Sequence, residues 1–198
     1  MNIGLTGGIA AGKSTVSEML VKRGAVLIDA DVIAREIMEP GHPVLQSVVD
    51  RFGRGVLRED GALDRKKLGT IVFSNPAERK ALEAITHPAI RCQMRDTMNQ
   101  LEAENPNRLV IADIPLLYES GLESLYGEIM VVYVPREVQL ERLVQRDGLA
   151  LSEAEARLNA QMDIELKKQK ADIVIDNSKD LDDTERQIDD FWRNKGLL

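Results

Sequence analysis

Short runs of aliphatic and β-branched residues recur along the chain, and longer stretches with helical spacing separate them. Several of these runs lack polar alternation, which is typical of strands that are covered on both faces. Five strands are predicted, at residues 3–6, 25–28, 109–112, 129–134 and 173–175. Because helical stretches separate consecutive strands, the pattern predicts a parallel sheet with right-handed crossovers and hence an α/β fold.

A long helical region interrupts this alternation between the second and third strands. It covers about eighty residues, which is far more than one crossover needs. Asn75-Pro76 is predicted to open one helix there, with Asn75 as the cap. His87-Pro88 is predicted to open another helix, which runs towards Glu104.

A second interruption follows the fourth strand. The helix that begins near Arg136 is expected to stop at Asp147-Gly148. Ser152 and Glu155 then have the spacing of a capping box, which predicts the start of a further helix. We see no repeats and no low-complexity linker, so the chain is interpreted as one domain with two excursions.

The first fifteen residues carry a phosphate-binding pattern. Gly7-Gly8-Ile9-Ala10-Ala11-Gly12-Lys13-Ser14 fits G-x-x-x-x-G-K-[ST] between a predicted strand and a predicted helix. The glycines let backbone N–H groups curl around phosphates, and the helix N-terminus adds a favourable dipole. Lys13 is expected to bridge the β- and γ-phosphates, and the Ser14 hydroxyl is placed to bind Mg²⁺. The pattern predicts a phosphate-handling enzyme of the P-loop class.

Carboxylates follow two predicted strands, at the sheet edge where open α/β folds bind ligands. Asp113 follows the third strand and is interpreted as a Mg²⁺ ligand, with a turn or helix cap as the alternative. Asp29 and Asp31 end the second strand, and capping needs only one of them. Since a kinase that acts on an alcohol needs a carboxylate to accept the hydroxyl proton, we interpret Asp31 as that base.

Basic residues cluster after the fourth strand. Arg142 and Arg146 are four residues apart and share a helix face, so they are interpreted as arginines that close over the transferring phosphoryl group. A solvated face is the alternative for both. For Lys167, Lys168 and Lys170 the solvated face is the preferred interpretation.

A few isolated residues have two interpretations. His87 with Arg91 suits either substrate binding or a structural hydrogen bond, and Asn177 suits either an adenine contact or a turn. Cys92 is interpreted as a small buried hydrophobe.

Composition narrows the class of protein. The 198 residues include 26 basic and 33 acidic ones, which gives a formal charge of −7. The chain is therefore not expected to bind nucleic acid through a broad basic surface. A single cysteine favours a reducing compartment, and no apolar stretch reaches the roughly 20 residues that span a bilayer. We expect a cytoplasmic enzyme without a signal peptide, with small-molecule substrates, no membrane partner, and a monomeric or weakly homo-oligomeric state.

Several segments together are more specific than the phosphate motif alone. They are Leu5-Thr6-Gly7-Gly8-Ile9 with Ser14-Thr15, Ile28-Asp29-Ala30-Asp31 with Ala34-Arg35, Pro40-Gly41, Thr86-His87-Pro88, Asp113-Ile114-Pro115-Leu116-Leu117, Gln145-Arg146-Asp147 and Ile175-Asp176-Asn177. In these segments the chain resembles the dephospho-CoA kinases, from residue 1 to about 195. Ala10-Ala11 departs from the family, where many relatives have glycine or serine, but both side chains are small.

The resemblance implies a fold and an activity. It implies a three-layer α/β/α P-loop kinase core of residues 1–37, 108–147 and 171–198 around a five-stranded parallel sheet. It also implies a helical CoA-binding insertion at 38–107 and a helical lid at 148–170. The implied reaction is ATP-dependent phosphorylation of the ribose 3′-hydroxyl of dephospho-CoA, the last step of coenzyme A synthesis, with Mg²⁺.

The resemblance also implies roles for individual residues. Asp31 is implied as the base, and Lys13 and Arg146 are implied as the other catalytic residues, with Arg146 near the phosphates. The residues expected at ATP are Gly8, Ala10, Ala11, Gly12, Lys13, Ser14, Thr15, Arg142 and Asn177. Those expected at the acceptor are Asp31, Arg35, His87 and Leu116, and those at Mg²⁺ are Ser14 and Asp113.

Two alternative functions compete with this interpretation. One is another small-metabolite kinase, for nucleoside monophosphates or shikimate, although the large insertion favours a bulky acceptor. The other is a GTP-driven switch, which usually carries an Asn-Lys-x-Asp element that this chain lacks. A scaffolding role is the weakest alternative, because it would leave the phosphate motif without a task.

Overall fold

A parallel sheet of five strands organises the part of the chain that carries the phosphate motif. The computed structural model describes residues 1–197. The strands are β1 Asn2–Gly7, β2 Val26–Asp29, β3 Val110–Asp113, β4 Glu128–Tyr133 and β5 Ile173–Asp176, in the order β2-β3-β1-β4-β5. All five predicted strands and the α/β class are therefore confirmed, with strand ends shifted by about one residue, the usual uncertainty of such boundaries.

Helices connect the strands. They are α1 Lys13–Lys22, α2 Ala30–Glu36, α3 Pro43–Phe52, α4 Arg65–Ser74, α5 Pro76–Glu104, α6 Arg136–Asp147, α7 Leu151–Asn159, α8 Ile164–Lys170 and α9 Leu181–Asn194. Short 3₁₀ turns lie at Arg54–Val56 and Glu123–Leu125. Gly148, in the left-handed conformation at φ 63°, ends α6 where the sequence predicts its end.

The chain divides into two compact units. One unit is Met1–Ile28 together with the residues from Gln100 onwards, and the other is Asp29–Asn99. The first unit contains the sheet, and the second consists mainly of helices. The finer bounds of an insertion at 38–107 and a lid at 148–170 stay predictions.

The sheet positions the functional side chains of the first unit. β1 lies between β3 and β4, with Leu5 level with Asp113 and Gly7 level with Val132. Because the strands are parallel, the loop after β1 and the carboxylate that ends β3 emerge at the same edge. In β1 and in the neighbouring strand β4, aliphatic residues such as Ile3, Leu5 and Met130 are fully buried, which holds this edge rigid.

One helix prediction is wrong. His87-Pro88 does not open a helix, because α5 runs without a break from Pro76 to Glu104 with Pro88 inside it. Pro88 has no N–H, so the carbonyl of Ala84 receives no helical hydrogen bond from it. Ala84 is exposed, so water can take that place. The prediction at Asn75 is confirmed, since its Oδ1 accepts from the N–H groups of Ala77 and Glu78.

A second local prediction is also wrong. The helix after Gly148 begins at Leu151, and not after a cap at Ser152. Its first turn is closed by Glu153, whose carboxylate accepts from the backbone N–H of Ala150 at 3.3 Å. The acidic residue two positions earlier than predicted therefore does the work of the capping box.

Within residues 1–197, no helix is both long enough and apolar enough to cross a membrane.

Candidate active site

The phosphate motif forms a tight loop between β1 and α1. The N–H of Ala11 donates to the carbonyl of Gly8 at 3.1 Å, which curls the chain back on itself. Ala10 and Gly12 both have positive φ, 60° and 83°, as the curl requires. A positive φ is strained for alanine and not for glycine, so Ala10 carries the local strain of the loop. The helix then begins at Lys13, and no side chain caps it, so the N–H groups of its first turn are placed to bind an anion.

Gly12 is required for a second reason. A Cβ at this position would overlap the side-chain amide of Asn177. Larger residues are therefore excluded both by the backbone angle and by the close approach of Asn177.

A cleft of about 670 Å³ lies beside the loop. It is large enough for a nucleotide-sized ligand. The loop and the helices α6 and α9 line it. The lining residues are Ala10, Gly12, Ser14, Thr15, Arg142, Gln145, Arg146, Asn177, Lys179, Asp180 and Leu181. The cleft thus brings together seven of the residues that the sequence assigns to nucleotide binding or catalysis.

Asn177 holds the phosphate loop through a side-chain hydrogen bond. It follows β5, is buried, and donates from Nδ2 to the carbonyl of Ala11 at 2.9 Å. Its Oδ1 accepts from the hydroxyl of Thr184 at 2.9 Å, and its backbone carbonyl accepts from Arg142 at 2.9 Å. Asn177 is therefore more than a turn asparagine, since it connects the phosphate loop to α6 and α9.

Lys13 and Asp113 contact each other directly. The Lys13 ammonium donates to Oδ1 of Asp113, and the two side chains are 20% and 8% exposed. The two groups that the sequence assigns to phosphate and to Mg²⁺ thus lie at one point of the sheet edge. In a partly dry environment this charge-assisted contact is stronger than an ion pair on the surface.

Arg146 lies at the mouth of the cleft and is held by its neighbour. Its Nε donates to Asp147 at 2.7 Å, and one of its terminal nitrogens donates to the same carboxylate at 3.1 Å. The hydrogen bond raises the pKa of Arg146 and, together with the charges of Arg146 and Arg157, lowers the pKa of Asp147. Arg146 therefore stays fully charged and is oriented by a carboxylate that is itself ionised.

In the second unit, two carboxylates at the start of α2 have separate roles. Oδ1 of Asp29 accepts from the N–H groups of Asp31 and Val32 at 2.7 and 3.2 Å, so Asp29 is the N-cap of α2. Asp31 is exposed in the first turn, and Arg35 lies four residues later on the same helix face. Capping is thus done by Asp29, and Asp31 is left for another task.

The remaining predicted acceptor residues lie in two different elements. His87 is half-buried within α5, and Arg91 follows it by four residues, on the same side of that continuous helix. Leu116 is 42% exposed in the loop that follows β3. His42, in contrast, has a structural role, since its Nδ1 accepts from the N–H of Val44 and caps α3.

Comparison with known proteins decides the family. The sequence model of the dephospho-CoA kinase family matches residues 1–183. The chain belongs to the dephospho-CoA kinase family.

Individual relatives agree with this assignment. The dephospho-CoA kinase of Carboxydothermus hydrogenoformans is 51% identical over 186 residues, which is 94% of this chain and 90% of the relative. The dephospho-CoA kinase of Symbiobacterium thermophilum is 50% identical over 191 residues, 96% of this chain and 80% of the relative. The resemblance noted from the sequence motifs is thus confirmed, and with it the prediction that the chain is a kinase of this family.

Solved structures support the same family and fold. The dephospho-CoA kinase from Campylobacter jejuni is 37% identical, with a TM-score of 0.77, over 100% of this chain and 98% of that one. The shikimate kinase from Acinetobacter baumannii is 18% identical, with a TM-score of 0.53 over 98% of this chain and 93% of that one, and shows a shared fold. A P-loop kinase core is therefore confirmed for this member of the dephospho-CoA kinase family. ATP is its phosphoryl donor and its acceptor is a small molecule.

Two expectations about single residues are wrong for this dephospho-CoA kinase family member. Lys167 is fully buried instead of solvated, and Cys92 is exposed instead of buried. Both errors have the same physical origin. Whether a helical side chain is buried depends on the segments that pack against its helix, and the local sequence does not reveal them. Lys168 lies over the ring of Tyr133, 3.8 Å from its centroid, and Lys170 is exposed.

Sequence reasoning also missed two glutamines that hold the phosphate loop. Gln139 donates to the carbonyl of Ile9 at 2.8 Å, and Gln161 accepts from the N–H of Ile9 at 3.0 Å. Gln139 lies three and seven residues before Arg142 and Arg146, so helix periodicity could have placed it on their face. No sequence signal marks Gln161, whose contact spans 152 residues of chain.

Proposed function

We propose that the protein transfers the γ-phosphoryl group of ATP to the ribose 3′-hydroxyl of dephospho-CoA, with Asp31 as the general base. The bond from the γ-phosphorus to the β–γ bridging oxygen breaks, and a bond to the 3′-oxygen forms. The hydroxyl proton passes to the carboxylate of Asp31 and then to solvent. The products are coenzyme A and ADP. The observation that carries this proposal is membership of the family combined with a complete phosphate loop beside a nucleotide-sized cleft.

The loop and the cleft support the proposed nucleotide roles. The residues assigned to ATP lie in this loop, in the first turn of α1, or at the base of the loop, where Arg142 and Asn177 meet. First-turn N–H groups of α1 and the ammonium of Lys13 suit an anion of high charge. Arg142 and Arg146, from one face of α6, are proposed to lie against the adenine and the phosphates respectively.

A magnesium ion fits the residues at this edge of the sheet. Within residues 1–197, no three His, Cys, Asp or Glu side chains gather as a metal cage. Kinases do not need one, since Mg²⁺ usually takes one or two protein oxygens together with substrate phosphates. The hydroxyl of Ser14 and the carboxylate of Asp113 are the proposed protein groups. When bound, the ion neutralises charge that develops on the phosphate oxygens.

The proposed base has the properties that proton acceptance requires. Asp31 is exposed, and the capping bonds of α2 are made by Asp29, so the Asp31 carboxylate is not needed to hold the helix. On the acceptor side we propose Arg35, His87 and Leu116, which the family resemblance assigns to this task. Cytoplasmic location and a monomeric or weakly associated state stay predictions.

Initial ADP release measured with a panel of acceptors tests the proposal. Dephospho-CoA, AMP and shikimate are compared with ATP and with GTP as donor, and the phosphorylated product is mapped by phosphorus NMR. We expect a rate with ATP and dephospho-CoA and a product phosphorylated at the 3′-oxygen. Lys13→Ala is the control, because loss of the phosphate contact should weaken both binding and turnover. A rate with AMP or shikimate and none with dephospho-CoA would refute the proposed acceptor.

A further inference from the structure

A lysine that has no assigned task lies fully buried at the base of the phosphate loop. Lys167 belongs to α8, and its side chain is 0% exposed. Its Nζ donates to the carbonyl of Gly7 at 3.2 Å and to the carbonyl of Pro115 at 3.4 Å. It also lies 2.8 Å from Oε1 of Glu119. The three N–H donors of the ammonium therefore meet three acceptors.

Such an arrangement is costly to bury unless every partner is in place. An ammonium without water is tolerated when it is paired with a carboxylate and hydrogen-bonded. Glu119 supplies the charge, and it is held in turn by the N–H of Met162 at 2.9 Å. A leucine or methionine at this position would leave the Glu119 carboxylate and the two carbonyls without this donor, so the role of the lysine lies in what it connects.

The two carbonyls belong to the two segments that carry the reacting machinery. Gly7 is the first residue of the phosphate loop, and Pro115 comes two residues after Asp113. Thr6 adds a second link, because its hydroxyl donates to the same carbonyl of Pro115 at 3.1 Å. Lys167 thus ties together the backbones on which Lys13 and Asp113 stand.

A neighbouring contact holds the same loop from the same part of the chain. Gln161, three residues before α8, accepts from the N–H of Ile9, while Gln139 donates to the Ile9 carbonyl. The peptide groups on both sides of Ile9 are therefore fixed by side chains. Lys167 thus holds the loop at Gly7 and Gln161 holds it at Ile9, in addition to the hydrogen bond within the loop itself.

We propose that Lys167 is a positioning residue for phosphoryl transfer, which holds the phosphate loop and the segment after Asp113 at a fixed spacing. The proposal rests on the proposed function, since the spacing matters when ATP and a cation bind between these segments. Misplacement by about one ångström can cost roughly 10²-fold in rate, so a rigid tie at this point has a large effect.

Replacement of Lys167 by methionine tests the tie. Lys167→Met keeps the unbranched shape and most of the length of the side chain and removes the donors. Lys170→Met is the matched control from the same helix, where the lysine is exposed. At a temperature where circular dichroism shows both variants folded, Lys167→Met is expected to lower kcat by roughly 10- to 100-fold. It should also raise the KM for ATP and the magnesium concentration that gives half the maximal rate. The KM for dephospho-CoA should stay within about twofold, and Lys170→Met should match the wild type.

A role in stability alone gives a different result. It would lower the melting temperature of Lys167→Met and leave kcat, the KM for ATP and the magnesium requirement unchanged, which would overturn the proposal. If Lys167→Met does not fold, Glu119→Gln decides, because it removes only the charge that balances the ammonium. We then expect a several-fold lower kcat with a higher magnesium requirement, and unchanged values would reject the tie.

The wild-type acceptor panel is measured first. If wild-type enzyme phosphorylates another acceptor, the proposed function fails while the Lys167 variants are still compared on that acceptor. If wild-type enzyme acts on dephospho-CoA and the Lys167 and Glu119 variants match it, only the positioning role fails.

Discussion

The ammonium of Lys13 donates directly to the carboxylate of Asp113, 100 residues away in the chain. Each of these groups has another proposed partner, the phosphates for Lys13 and a magnesium ion for Asp113. Binding of ATP with the ion would therefore exchange one internal ion pair for two new ones. Because the two groups pair with each other, neither charge is left uncompensated before the substrates arrive, and this edge of the sheet stays stable.

Asp113→Asn should separate binding from turnover. The substitution keeps the shape of the side chain and removes its charge, so Lys13 becomes more available to phosphate while the ion loses a ligand. We expect turnover to fall by roughly 10²-fold, with a higher magnesium requirement. Metal-free ATP, measured by calorimetry, should bind at least as tightly as it does to the wild type. Unchanged turnover and magnesium dependence would contradict the proposed ligand role.

Asp31→Asn should lower turnover by about 10²- to 10⁴-fold, which is the usual contribution of a positioned base. ATP affinity should be retained, because the substitution leaves the phosphate loop untouched. The matched control is Asp29→Asn, which keeps an oxygen acceptor at the cap of α2 and should retain most of the activity. Steady-state kinetics with dephospho-CoA compare the two. Near-normal turnover of Asp31→Asn would refute the proposed base.

Asn177→Ala should reduce both stability and nucleotide affinity. It leaves the carbonyl of Ala11 without its side-chain donor and removes one of the two acceptors of the Thr184 hydroxyl, a cost of about 1–3 kcal/mol in the free energy of unfolding. The loop loses its brace, so the KM for ATP should rise. Thr184→Val is the control, because it removes one of these bonds and leaves the contact with Ala11. Urea unfolding and ATP titrations measure the two effects, and an unchanged ATP affinity in Asn177→Ala would show that the brace is not needed.

The three tyrosines should ionise late. Burial raises the pKa of Tyr118 and of Tyr126 to about 12, and the hydrogen bond to Glu165 raises the pKa of Tyr133 to about 12. Their phenolate absorbance should therefore appear near pH 12 in the folded enzyme, and near the ordinary value of 10 in urea.

The sign of the linked stability follows from the same shift. The folded state holds these protons more tightly than the unfolded state, so the contribution to stability is complete below pH 10 and is lost as the pH rises towards 12. Denaturation monitored between these values tests it. Tyr133→Phe should lose the part that depends on Glu165, and a pH dependence identical to that of the wild type would contradict this assignment.

Local chemistry explains which parts of the site could be predicted from the sequence. The phosphate loop, the carboxylate after β3 and the end of α6 at Gly148 each depend on a few adjacent residues with specific backbone needs. Asp29 and Asp31 could be recognised together as one cap and one candidate base for the same reason, since capping is decided within three residues. The choice of Asp31 as the base depends on the family resemblance. Family resemblance then supplied the acceptor, for which local pattern offers no signal.

Long-range packing explains what could not be predicted. Lys167 lies in a lysine-rich segment of the kind that usually forms a solvated helix end. Its burial depends on Gly7, Pro115 and Glu119, which are distant in the chain. Pro88 looks like a helix start when its neighbours are considered alone. The helix nevertheless continues through it. Buried residues of α5 lie on both sides of Pro88, and the proline removes only one helical hydrogen bond.

The exposed position of Cys92 has a practical consequence. It is the single thiol in the sequence, and it lies on the surface of α5, with its sulfur near Asp96 and Arg95. A maleimide fluorophore would therefore attach at one defined point, without the removal of other thiols by mutagenesis. Such a label would place a fluorescent reporter on the helical unit, for titrations with the acceptor and with the nucleotide in turn.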